Sequence, residues 1–217
     1  MATNVQQDNR EGLWAALEDP DVNVRREAII ELGEMGELKD DRAVQPCIDA
    51  LHDGDDTVRR HAACALGNFG DVRAVMPLIA ALSDKGMEIG WCAARSLGKL
   101  GDKRAVEPLI DLLNTSMDMY TRQEVAQSLG KIGDDRALQP LVRALNDKDK
   151  HVRRAAAAAL GDLGNVQALP ALIATERQDH VTTNQANRQG IREAAATAIA
   201  RIEARHADIR SGAHRGQ

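Results

Sequence analysis

Apolar residues recur along this chain at helical spacing. Between 105 and 114 they fall at Val106, Leu109, Ile110, Leu112 and Leu113, and the stretch Val152 to Leu163 repeats the same period with alanine in most of the inner positions. A period near 3.6 predicts amphipathic helices of ten to twelve residues, each needing a partner for its apolar face. The helices come in a register. Leu-Gly dipeptides stand at 32–33, 66–67, 97–98, 129–130 and 160–161, which are 34, 31, 32 and 31 residues apart. Prolines at 46, 77, 108, 140 and 170 keep the same period, and so do the segments ahead of four of them, Asp41-Arg42-Ala43-Val44, Asp71 to Val75, Asp102 to Val106 and Asp135 to Leu138. Three markers in phase define a repeat array.

Each unit reads as two helices. Proline falls in the first turn of the opening helix, where its missing N–H costs little. Glycine pairs such as Gly98 and Gly101, or Gly130 and Gly133, close the second helix, one allowing close packing and the other a left-handed turn. No unit can bury its own apolar face, so stability must come from stacking. The fold expected is all-α: an α-α superhelix, a solenoid of about six two-helix repeats. Its units run over about 8–42, 43–73, 74–104, 105–136, 137–167 and 168–208 as a single domain at 8–208. The polar residues 1–7 and the aperiodic residues 209–217 are expected to be flexible ends. In the last unit Ala200 replaces the Leu-Gly glycine, and the extra polar residues within Asp179 to Gln189 are expected to form an exposed loop.

The pattern D-x-R-A-V-x-P-L-I-x-A-L followed by V-R-R-x-A-A-x-A-L-G-x-x-G resembles E-Z type HEAT repeats, also called phycobilisome-lyase HEAT-like repeats, over about residues 9–205. The motif residues build the solenoid and leave function open. Members of that group include phycobilin lyase subunits, phycobilisome degradation proteins, iron-sulfur assembly factors and scaffolds. Deoxyhypusine hydroxylase, a related group, holds iron with His-Glu dipeptides. No histidine here precedes a glutamate, so that activity is not carried over.

Composition narrows the field. The net charge is −5 and aromatics are 2% of the chain, namely Trp14, Phe69, Trp91 and Tyr120. The acidic balance argues against nucleic-acid and anionic-membrane partners, which call for a basic face. Few aromatics leave a core of Leu, Ile, Val and Ala, which suits packed helices. With no apolar run of about 18 residues and no apolar leader, a cytoplasmic protein is expected. Three cysteines without C-x-x-C spacing indicate reduced thiols rather than a disulfide framework.

Chemistry is sought where the units differ. Eleven residues before the Leu-Gly leucine stand Asp21, Asp55, Asp118 and Asp149, and seven before it Arg25, Arg59, Arg122 and Arg153. The aspartate is a natural N-cap, and the arginine can pair with it or with the next unit's aspartate. In the third unit Gly86 and Gly90 replace both, followed by Trp91 and Cys92. This is either drift, with Trp91 filling the vacated space, or a recess for a ligand or partner anchor.

Second helices line the concave surface in solenoids of this type, and their non-motif positions are free to bind. The candidate binding residues are Arg60, His61, Cys64, Trp91, Cys92, Arg95, Lys99, Tyr120, Gln123, Glu124 and Gln127. Their register places the Cys64 and Cys92 helices about 10 Å apart. A metal centre would need four ligands where at most three stand, so none is expected. Cys47, aligned with Leu78, Leu109 and Leu141, reads as a small core residue. The remaining histidines fall in turns, in the insertion or in the tail, and no catalytic constellation or phosphate loop is present.

Formal charges over the face are near balance. These residues predict a non-catalytic scaffold for a protein partner, without a cofactor. The resemblance implies a second reading, a tetrapyrrole-handling protein: a lyase subunit or a bilin-detaching factor. In that reading Arg60, Arg95 and Lys99 would meet propionates, Trp91 and Tyr120 would stack on the rings, and Cys64 or Cys92 would hold a phycobilin. A third reading, iron-sulfur assembly, rests on the central thiols. Solenoids with exposed ends also pair, as homo- or heterodimers.

Overall fold

The structure is a computed structural model that describes residues 12–34, 41–86, 88–178 and 185–213, with side chains for all of these except 41, 178, 185–189 and 208–213. Residues 1–7 therefore lie outside the described residues. Every regular element described is helical. A short helix over 12–16 (α1) precedes α2 (Val22–Glu34), α3 (Val44–Asp49), α4 (Asp56–Phe69), α5 (Val75–Ala81) and α6 (Ile89–Leu100). These are followed by α7 (Val106–Thr115), α8 (Met119–Ile132), α9 (Leu138–Ala144), α10 (Lys150–Leu163), α11 (Leu169–Gln178) and α12 (Gln185–Ala213). The chain forms two compact units, Met1–Ala105 and Val106–Gln217. In the first, α2, α4 and α6 lie side by side, with α3 packed on α4 and α5 on α6. The second repeats the plan with α8, α10 and α12, covered by α7, α9 and α11. This is the all-α solenoid class, with about six two-helix repeats.

The opening helix of a repeat is not one continuous α-helix. Single 3-10 turns, Val72–Ala74, Lys103–Ala105, Asp135–Ala137 and Val166–Ala168, lead into α5, α7, α9 and α11. Asp71, Asp102, Asp134 and Asn165 each accept a hydrogen bond from the backbone amide two residues on. Arg73, Arg104 and Arg136 then fold back onto that same aspartate. The alanine of each segment is sealed, with Ala74, Ala105, Ala137 and Ala168 at 0% exposure. Proline follows as the third residue of α5, α7 and α9, so its missing N–H is one no helical carbonyl was waiting for.

The leucines of the Leu-Gly dipeptides, Leu32, Leu66, Leu97, Leu129 and Leu160, are fully buried, and so are Leu78, Leu109, Leu141 and Leu172 on the opening helices. Each contributes about 2 kcal/mol of transfer free energy. Cys47 takes the same place in α3 and is likewise fully buried; burial pushes its thiol up to about 12. The glycine after the leucine sets the spacing between second helices at Gly67, Gly130 and Gly161. A Cβ on Gly67 would stand 2.8 Å from the Cα of Ser96, and one on Gly130 would stand 2.7 Å from the Cα of Ala159. Real Cβ atoms do not approach backbone that closely, so only glycine permits this contact. Gly70, Gly101, Gly133 and Gly164 end their helices at φ between 69° and 74°, the left-handed region that favours glycine.

The aspartate–arginine ladder is built, with a change of partner. Asp55, Asp118 and Asp149 cap α4, α8 and α10 through their side chains. The arginine passes over its own cap residue. Arg25 grips Asp53 at 2.7 Å, Arg59 grips Asp84 at 2.9 Å and Arg122 grips Asp147 at 2.8 Å, in each case a carboxylate of the next repeat two residues ahead of its cap position. Each guanidinium also donates to a carbonyl in its own unit, at Asp19, Asp53 and Ser116. Burial, the largest single influence, would raise the carboxyls of Asp53, Asp84 and Asp147; the arginine hydrogen bond, a backbone amide and the arginine charge together outweigh it and hold all three below the usual range. Arg26 adds a two-pronged bond to Asp55, whose carboxyl is lowered to about 2.

The third repeat pays for its missing cap in helix length. Its helix α6 has 12 residues, whereas α4, α8 and α10 have 14 each. Without an aspartate at 86 it starts at Ile89, behind Glu88 at φ 69° and with no side-chain cap. The space over Gly86 is occupied: a Cβ there would stand 2.5 Å from Ile89 Cδ1 and 3.1 Å from Arg59 and Asp56. The loss of the aspartate therefore opens no recess at that point, because Ile89 and Arg59 have closed over it.

Two expectations at the C-terminal end change. The last five residues of the expected loop, 185–189, already belong to α12, and the part from Asp179 to Asn184 lies outside the described residues. Of the expected tail, 209–213 continue α12, and 214–217 lie outside the described residues.

Candidate partner-binding face

In the first unit the second-helix layer gathers seven of the sequence-derived candidates. Arg60, His61 and Cys64 share one face of α4; Trp91, Cys92, Arg95 and Lys99 follow on α6. Trp91 is half-buried, and the Arg95 guanidinium stacks over it 5.5 Å from the ring centroid. Such a cation–π pair presents a rigid apolar surface with a charge on top. Lys99 reaches Asn68 at 2.6 Å. Arg60 lies 3.0 Å from Nε2 of His61 and 3.9 Å from Glu88. A guanidinium only donates, so Nε2 of His61 is the acceptor and the ring is neutral; burial first, and then the Arg60 charge, hold the imidazole below its ordinary pKa.

Cys64 and Cys92 meet across the α4–α6 contact. Cys64 is half-buried and Cys92 fully buried. The hydrogen bond from Cys92 lowers the Cys64 thiol, and the charges of Arg95, Arg60 and Lys99 act with it against burial. Cys92, as the donor, is pushed up. Arg95, Arg60 and Lys99 therefore stand together around one thiol. Locally this face is positive, with Glu88 3.9 Å from Arg60, on a chain whose net charge is −5. Among the described residues no three or more His, Cys, Asp or Glu side chains come together as a metal site.

The other four candidates sit in the second unit. Tyr120 is 63% exposed at the start of α8, and Gln123, Glu124 and Gln127 are half-buried along it. Gln123 and Gln127 line a groove of about 530 Å³ floored by Ala155, Ala158 and Ala159 and rimmed by Lys131, His151, Arg154, Asp162 and Arg201. Sequence reasoning did not select Lys131, His151 and Arg201. A signal existed: two residues after the leucine register stand Asn68, Lys99, Lys131, Asp162 and Arg201, and two of the cross-repeat pairs bond, Lys99 with Asn68 and Arg201 with Asp162 at 2.7 Å. His151 was read as a turn residue but lies in the first turn of α10.

Comparison with known proteins agrees with this architecture. Residues 9–85, 44–118 and 106–200 match HEAT repeats, and the chain belongs to that family. An engineered protein shares the fold at 23% identity and a TM-score of 0.69, over 90% of this chain and 97% of its own. A designed armadillo repeat protein in complex with the peptide (KR)4 is similar at 19% identity and a TM-score of 0.65, over 87% and 98%. The complex of CpcE and CpcF of phycocyanin lyase from Nostoc sp. PCC7120 is similar at 25% identity and a TM-score of 0.55, over 90% and 94%. No curated protein matches the chain. Among the described residues no helix is long and apolar enough to cross a membrane.

Proposed function

We propose that this chain is a non-catalytic scaffold that captures an acidic segment of a protein partner on the second-helix face of its first unit. The observation that carries the reading is the Trp91–Arg95 stack standing among Arg60 and Lys99. An aromatic anchor capped by one cation, with two more around the neighbouring thiol, suits a partner side chain flanked by carboxylates. A designed armadillo protein of similar fold takes the basic peptide (KR)4; the cations here select the opposite sign. Free thiols at Cys47, Cys64 and Cys92 suit a reducing, cytoplasmic setting.

The test is fluorescence anisotropy with a labelled alternating aspartate–glutamate peptide carrying a central leucine, beside its lysine–arginine counterpart. The acidic peptide binds, weakens as salt rises, and loses about tenfold in affinity on Arg95→Glu or Trp91→Ala. Equal binding of both peptides, or indifference to both substitutions, overturns the reading.

A second reading, tetrapyrrole handling, is supported by the likeness to the phycocyanin lyase complex and by three cations beside two thiols. Arg60, Arg95 and Lys99 would take propionates and Trp91 a pyrrole ring. Mixing with phycocyanobilin gives a red-shifted, sharpened absorbance band, lost in Trp91→Ala and Cys92→Ser, if this reading holds; an unchanged spectrum removes it.

A further inference from the structure

Neither reading of the face uses the contact between its two thiols. Cys64 and Cys92 are 28 residues apart in sequence and are joined by the packing of α4 on α6. Next to them the helices approach closely because glycine stands at 67, where an added Cβ would lie 2.8 Å from the Cα of Ser96. Ser96, one turn beyond Cys92, donates its Oγ hydrogen to the carbonyl of Ala63, the residue before Cys64, at 2.7 Å. That bond and the Gly67–Ser96 contact hold the two helices in the register at which the Cys92 side chain hydrogen-bonds that of Cys64. Disulfides need Cβ atoms about 3.5–4.5 Å apart, and a close approach of the two helices favours that separation.

The two sulfurs are unequal in the way an exchange pair requires. Cys64 is reachable from solvent and lies in a field of three cations, which favours thiolate. Cys92 is sealed beneath it. The third cysteine, Cys47, is buried in α3 and protonated, so it serves as an internal control.

We infer that Cys64 and Cys92 form a thiol–disulfide exchange site for low-molecular-weight disulfides, with Cys64 as the attacking sulfur and Cys92 as the resolving one. The Cys64 thiolate attacks one sulfur of a disulfide RSSR, breaking its S–S bond and releasing RS⁻, which takes up a proton. Cys92 then gives its proton to solvent and attacks the Cys64 sulfur of the mixed disulfide, releasing the second RS⁻. The protein is oxidised by two electrons, RSSR is reduced to two RSH, and the new bond staples α4 to α6 beneath Trp91 and Arg95. The site requires no partner protein, so its test stands apart from the peptide-binding one.

The experiment treats the full chain with oxidised glutathione under native conditions and reads intact mass and peptide maps. The wild type is expected to lose the mass of two hydrogens, to yield a Cys64–Cys92 cross-linked peptide and to keep Cys47 reduced. Cys92→Ser is expected to stop at one glutathione on Cys64, and Cys64→Ser to carry neither adduct nor cross-link. Without oxidant, iodoacetamide should label Cys64 on the order of tenfold faster than Cys47. A wild type that keeps a glutathione adduct overturns the inference, as do native thiols that stay untouched while the urea-unfolded chain reacts. The wild-type result decides the matter even where a serine variant folds poorly, as circular dichroism would show.

Discussion

The α4–α6 contact in the first unit and the α8–α10 contact in the second use the same devices to hold the backbone. A glycine lies against the neighbouring helix, Gly67 on Ser96 and Gly130 on Ala159. An arginine crosses to the next repeat's aspartate, Arg59 to Asp84 and Arg122 to Asp147. The surfaces above these contacts differ. In the first unit two thiols meet beside a half-buried indole, with Arg60, Arg95 and Lys99 near the Cys64 thiol. In the second, Ala155, Ala158 and Ala159 leave a groove of about 530 Å³. Two motif positions per repeat fix the backbone, and the residues between them can vary without disturbing it, which is why the repeats can share a fold and differ in what they bind.

Acid is the broadest challenge to the devices shared by both units. Asp53, Asp55, Asp71, Asp84, Asp102, Asp118 and Asp147 are all held below the ordinary carboxylate value of 3.8, with Asp55 and Asp102 at about 2. A carboxyl whose folded pKa is depressed contributes stability that is present above its unfolded pKa and lost as pH falls through the folded one. Helicity followed by circular dichroism should therefore hold above about pH 4 and fall steeply between about pH 4 and 2. A chain equally resistant to urea at both ends of that window would show that the ladder contributes nothing.

Single arginines sharpen the comparison between units. The Arg122 side chain is 6% exposed and its Asp147 partner 14%, against 17% and 19% for Arg59 and Asp84. Arg122→Ala leaves the buried Asp147 carboxylate without its cation, with the Asp149 amide still donating to it, takes a donor from the Ser116 and Met117 carbonyls, and should cost about 3 kcal/mol. Arg59→Ala, closer to water, should cost about 1–2 kcal/mol. Urea titration measures both, and an equal loss would mean that burial does not set the worth of a rung.

The smallest changes test the glycines. Gly130→Ala and Gly67→Ala force a Cβ into the backbone or side chain of the next helix and should cost about 2 kcal/mol each. Gly33→Ala meets only the Ala65 Cβ at 3.4 Å, an ordinary contact, and with the better helix propensity of alanine should change stability by no more than about 0.5 kcal/mol. Thermal midpoints in that order support the reading of the Leu-Gly glycine as a spacing device; a costly Gly33→Ala would contradict it.

The repeat, its helix pairs and its inner residues were legible in the chain because they depend on local periodicity. Leucine, proline and glycine recur in phase, and each acts within one turn of its own position. Cys47 could be assigned to the core by register alone. The ladder arginines could be found in sequence, but not their choice between two aspartates, since that depends on where the next repeat sits. Gly86 and Gly90 marked the third repeat as different, yet only packing showed that Ile89 and Arg59 close over Gly86 and that α6 begins late. Lys131, His151 and Arg201 converge on one groove from three helices, which no single-helix pattern displays. The meeting of Cys64 with Cys92 has the same origin. The sequence determined which elements form and which faces they bury, since propensity and hydrophobic period are properties of neighbours in the chain. Tertiary structure decided which charges pair, where the cations gather and which thiols touch, because those are distances between residues that only packing brings together.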